Sequence, residues 1–72
     1  MATEKEIKRH MRQAVVNGEH VDAVTREVNM TKLAEAAAWM FDIDLDDDDR
    51  PFELAFEVAE WYDRLHGEEA DG

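Results

Sequence analysis

A chain of 72 residues with no cysteine and a formal net charge of −11 makes one small domain without disulfides or thiolate metal sites. That charge disfavours general contact with nucleic-acid phosphates or anionic lipid, and no apolar run approaches membrane-spanning length. The N-terminal MATEKEIKRHMRQ carries charges where a signal peptide needs apolar residues, so the expected setting is soluble and cytoplasmic.

Residues 4–16 predict the first helix. Ile7, Met11, Ala14 and Val15 gather on one face at i, i+4, i+7 and i+8, with Lys5, Lys8, Arg9 and Arg12 nearly opposite. Thr3 is placed to cap the start, with Glu6 completing a capping box, and Asn17-Gly18 supplies the stop. In residues 19–28 the spacing of Val21, Val24 and Val28 suits a short helix, preferred here over a strand, although Asn-Gly is also a hairpin signal. Asn29 caps the next helix, with Val28 and Leu33 as a hydrophobic staple. This helix runs to about Phe41, and its expected buried face is Leu33, Ala36, Ala37 and Met40.

The aspartates of residues 42–49 repel one another and prefer caps and turns, so this segment is an acidic loop. One of its last acids should cap a final helix over 51–66, with Pro51 in the first turn. Glu53, Glu57, Glu60 and Arg64 form one polar stripe on that helix. Phe52, Ala55, Phe56 and Ala59 line one flank, and Leu54, Val58, Trp61 and Leu65 the other. Gly67 is expected to end it, leaving residues 67–72 as a frayed acidic tail. The fold class is therefore all-α: a three- or four-helix domain over residues 1–66 with an acidic loop before the last helix.

Asp42, Asp44, Asp46 and Glu53 occupy positions 1, 3, 5 and 12 of an EF-hand calcium loop, where alternate hard oxygen ligands precede a bidentate carboxylate. Asp47 stands where the sharp turn requires glycine, and Pro51 lies where the second helix should begin. A solvated charged loop is the preferred reading, and no metal is assigned. His10, His20 and His66 fall in separate elements, serine is absent and no glycine-rich phosphate loop occurs, so neither an enzyme nor a cofactor is expected.

The basic face of Lys5, Lys8, Arg9 and Arg12 could follow a phosphate backbone, yet the overall charge favours solvation or pairing with acids. A helix-turn-helix over 19–41 would have an alanine-rich reading helix with Lys32 as its sole cation, which argues core and not readout. Residues 42–49 with Glu53, Glu57 and Glu60 form a line of negative charge that could imitate DNA phosphates on a basic groove. The aromatic residues Trp39, Phe41, Phe52, Phe56, Trp61 and Tyr62 are expected mostly in the core.

Abundant Asp, Ala and Val, scarce Lys and Ile, and arginine outnumbering lysine resemble proteins of salt-accumulating halophiles, haloarchaea especially. The expected function is non-enzymatic: a small acidic regulator or accessory subunit acting through protein–protein contact, with a DNA-mimicking inhibitor as the alternative. Calcium binding and direct DNA binding rank behind these. A homodimer is expected. Leu54, Val58, Trp61 and Leu65, left uncovered by one partner layer, would meet the same flank of a second copy while Lys5, Lys8, Arg9 and Arg12 offset its acids.

Overall fold

The computed structural model describes residues 3–71, with side chains through Gly67. Among these the domain is all-α, with three helices: α1 (Glu4–Val16), α2 (Met30–Met40) and α3 (Arg50–Asp71). The long α3 packs extensively on both α1 and α2, which touch each other little. No helix among the described residues is long and apolar enough to cross a membrane.

Local chemistry sets most helix ends. The Thr3 hydroxyl accepts from the Glu6 N–H at 3.2 Å, satisfying one of the amides that a helix start leaves unpaired. The face chosen by periodicity is the buried one: Ile7, Met11, Ala14 and Val15 all lie in the core. At the far end Gly18 takes φ +87°, and its N–H donates to the Val15 carbonyl while that of Glu19 donates to Ala14. This is a Schellman stop built on the glycine. Asn29 caps α2 by accepting from the Lys32 N–H at 3.1 Å.

The second stop uses the same geometry with a less suitable residue. Ile43 N–H donates to the Ala38 carbonyl, which places Asp42 in the left-handed region at φ +57°. That conformation crowds any Cβ, and a carboxylate at a helix C-terminus also opposes the helix dipole. Asp42→Gly should therefore stabilise the fold by about 1 kcal/mol, read as a higher urea midpoint. Asp42→Asn removes the charge while keeping the strained Cβ, so it should recover only part of that gain.

Four expectations need correction. Residues 19–28 form no helix. Val21 and Val28 make an isolated antiparallel bridge, both packed against the core, while Val24 points into solvent. The Asp22 carboxylate accepts from the Val24 and Thr25 N–H groups at 2.7 and 3.0 Å, which turns the chain before a helix can nucleate. On α2 the buried residues are Leu33, Ala34, Ala37 and Ala38; Met40 is exposed and Ala36 half-buried. The face is thus rotated from the expected one.

Gly67 does not end α3, which continues to Asp71 through the helix-forming Glu68, Glu69 and Ala70. The expected tail at 67–72 is thus helical in backbone as far as Asp71, and Gly72 lies outside the described residues. Finally, the aromatics are not mostly core. Tyr62 is buried and Phe41 and Trp61 are half-buried, while Trp39, Phe52 and Phe56 are exposed.

Candidate interaction surface

The flank Leu54, Val58, Trp61 and Leu65 is not the uncovered one. Leu54 and Val58 are buried in the chain's own core, Trp61 packs against it, and Leu65 alone stands out. Pro51, Leu54, Ala55, Val58 and Tyr62 are the residues α3 turns inward. The exposed apolar residues of its first turns belong to the other flank, where Phe52 and Phe56 border a hollow of about 630 Å³ with Glu4, Glu53 and Glu57.

The basic face of α1 is partly spoken for. Lys8 Nζ lies 3.2 Å from Glu57 Oε2 on α3, and the Arg12 guanidinium sits 5.2 Å from the Trp61 ring centre as a cation–π pair. Lys5 and Arg9 remain exposed. Both contacts fasten α1 to α3, and they leave two of the four cations for another molecule.

The acidic loop is organised by its own turns. Asp44 Oδ1 accepts from the Asp46 N–H, and the Asp44 carbonyl accepts from Asp47 and Asp48. Asp48 takes the Arg50 backbone N–H and grips its guanidinium, with Nη2 2.6 Å from Oδ2. Among the described residues no group of three or more His, Asp or Glu side chains is placed to hold a metal ion. Asp42, Asp44, Asp46 and Glu53 are not brought together, because the loop folds back on Asp44 and α3 then carries Glu53 onto the helix surface.

Two carboxyls are held below their ordinary range. Hydrogen bonds from the Arg50 side chain and then its backbone N–H lower Asp48, and the N–H groups of Thr25 and Val24 lower Asp22. Because their folded pKa values are depressed, their contribution to stability is present above the ordinary value of 3.8 and fades as pH falls through the lower folded values. The melting temperature should thus fall in strong acid, as the pH drops below the ordinary value of 3.8 and these two carboxylates are protonated. Asp48→Asn should flatten that fall in thermal melts across the acid range.

Sequence reasoning missed the most conspicuous apolar surface. Trp39 is 84% exposed and Met40 54% exposed, side by side at the end of α2. They rim a groove of about 360 Å³ between α1 and α2, lined by Ala14, Leu33, Ala36 and Ala37 together with His10, Glu19 and His20. A usable signal was present. If Leu33 and Ala37, four apart, set the inward face, Trp39 falls on the opposite side of the helix.

Charge is segregated as well. Residues 1–41 hold six acids and six bases, hence no net charge; residues 42–72 hold thirteen acids and two bases, hence all of the −11. The Trp39 groove is built from the neutral part. Comparison of the chain with protein-family models, curated proteins and solved structures finds no match.

Proposed function

We propose that this chain is a small non-enzymatic regulator or accessory subunit that acts through protein–protein contact in a salt-rich cytoplasm. The observation that carries the reading is Trp39, held 84% exposed beside an apolar groove. A large side chain left in water forgoes about 1.5–3 kcal/mol of burial, a sizeable amount for so small a domain, and exposed apolar patches of this kind mark contact sites. The neutral charge of the surrounding segment supports the same face, because a protein partner can approach it without desolvating a dense set of carboxylates.

A pull-down from the native host at high salt tests it, with the wild type beside Trp39→Glu. A stoichiometric protein retained by the first and lost by the second is the expected result. Equal recoveries, or none, would count against contact at this face. DNA mimicry is the second reading, supported by the confinement of the net charge to residues 42–72. It expects a nucleic-acid-binding protein in the catch, retained through Asp47, Asp49, Glu53 and Glu60 and indifferent to Trp39→Glu.

A further inference from the structure

Phe52 and Phe56 stand one turn apart on α3, 39% and 53% exposed, and line a hollow of about 630 Å³ with Glu4, Arg50, Glu53 and Glu57. From Phe52 to Asp63 the helix carries Glu53, Glu57, Glu60 and Asp63 and no base. We propose that this hollow docks a cationic amphipathic helix of another protein. Apolar side chains of that helix lie against the two phenylalanines, and its lysines or arginines against Glu4, Glu53 and Glu60. The surface is separate from the Trp39 face and adds a second contact to it.

Charge sets the class of partner. Arg50, the base lining the hollow, grips Asp48 with Nη2 2.6 Å from Oδ2, and Lys8 is held 3.2 Å from Glu57. Glu53, Glu60 and Asp63 enter no ion pair among the described residues. A cationic partner thus meets acids that the fold leaves uncompensated, while an acidic or phosphate-bearing one is repelled. The rings add what charge alone does not need. A solvated acidic face, or one imitating phosphates, has no use for two exposed phenylalanines, whereas an amphipathic helix matches both features.

The walls select a helix over an extended segment. Every lining residue lies on α1 or α3, and the hollow offers no strand edge. An extended chain pressed there would lose water from amides and carbonyls that find no partner. A helix satisfies its own, and rings at i and i+4 match apolar residues at the same spacing. The chain's own basic helix is not the occupant. Ile7 and Met11 are buried, so no exposed apolar side chain lies between Lys5 and Arg12.

The probe is a blocked peptide of roughly 14 residues, leucine along one helical face and lysine elsewhere, beside a scramble of the same composition with no such face. Titration into the full chain in about 0.3 M KCl, and again in about 2 M, reads the affinity of each. The amphipathic peptide should bind one-to-one and roughly tenfold tighter than the scramble. Phe52→Gln and Phe56→Gln, with unchanged circular dichroism, should each weaken it about fivefold or more and leave the scramble alone. Glu53→Gln with Glu60→Gln should weaken both peptides at the lower salt and much less at the higher, where screening has already removed most of the attraction. Trp39→Glu should change nothing. Equal affinity for the two peptides, or no binding of either, overturns the proposal, as does binding indifferent to both phenylalanines. Loss on Trp39→Glu also overturns it, since the peptide then sits in the α1–α2 groove. None of the first three outcomes touches the Trp39 contact, which stands or falls on capture of a host protein.

Discussion

Met11→Ala should lower the melting temperature by roughly 10–30 °C in molar KCl, the largest effect expected of any single truncation in this chain. The core is made mostly of alanine and valine, and Met11 and Leu33 head its fully buried side chains by volume. Met11 lies mid-way along α1, in the same buried cluster as Leu33 of α2 and Leu54 and Val58 of α3. Because α1 touches α2 little, its attachment rests on α3 and on four buried residues, Ile7, Met11, Ala14 and Val15. Removing the side chain loses its transfer energy and leaves a cavity that the rigid alanine contacts cannot collapse around, about 2–5 kcal/mol together. A 72-residue domain has about 4–11 kcal/mol in total, so the loss is close to half. Val24→Ala is the control: Val24 points into solvent, and the change should stay within about 0.5 kcal/mol. A fall of less than about 5 °C for Met11→Ala would show that the three helices do not share one core around it.

What the sequence made legible was the chemistry settled within a turn or two of the residue concerned. Thr3, Asn17-Gly18 and Asn29 act through hydrogen bonds to amides and carbonyls at most five residues away, and each sits where the spacing put it. The inward face of α1 was legible too, because its apolar residues form one narrow stripe among charged ones. α2 was ambiguous for the opposite reason. Four alanines, Ala34 and Ala36 to Ala38, leave the helix little amphipathic contrast, so its own sequence does not fix its phase. Residues 19–28 offered a helical spacing of valines beside the hairpin signal of Asn-Gly, and the Asp22 turn with the Val21–Val28 bridge decided between them. The surface was misread through α3. Both of its flanks are apolar, and only the packed structure shows that α1 and α2 cover Leu54 and Val58 while Phe52 and Phe56 face water. The stripe at Trp39 was the cost of the same uncertainty in phase, since a helix turned by one residue exchanges core for contact surface.

Stability should rise steeply with salt: from dilute buffer to molar KCl the melting temperature should climb by roughly 10 °C or more, equivalent to about 2 kcal/mol. The charges responsible are those of residues 42–72, thirteen acids against Arg50 and Arg64. Repulsion between sequence neighbours exists in the unfolded chain as well and cancels from the balance. What folding adds is compaction. A helix sets Glu53, Glu57 and Glu60 at i, i+4 and i+7, and neighbours three or four apart lie about 5–6 Å from one another, where two unit charges in water repel by about 0.7 kcal/mol. At 0.1 M salt the screening length is about 10 Å and most of this survives; at 1 M it is about 3 Å and little does. Salt also weakens the surface pairs Lys8–Glu57 and Arg50–Asp48, but exposed ion pairs contribute only about 0–1 kcal/mol each, and two of them cannot offset repulsion spread over thirteen acids. The repulsive sum therefore decides the sign. Replacing Asp46 and Asp47, both exposed, with lysine takes the net charge from −11 to −7 without touching the core, and should flatten the salt response while raising stability in dilute buffer. Melting curves of the two chains from dilute buffer to molar KCl separate this cause from a general salting-out of apolar surface, which would stabilise both equally. A wild-type melting temperature flat across that range would remove the halophilic reading, and with it the reason for so acidic an α3.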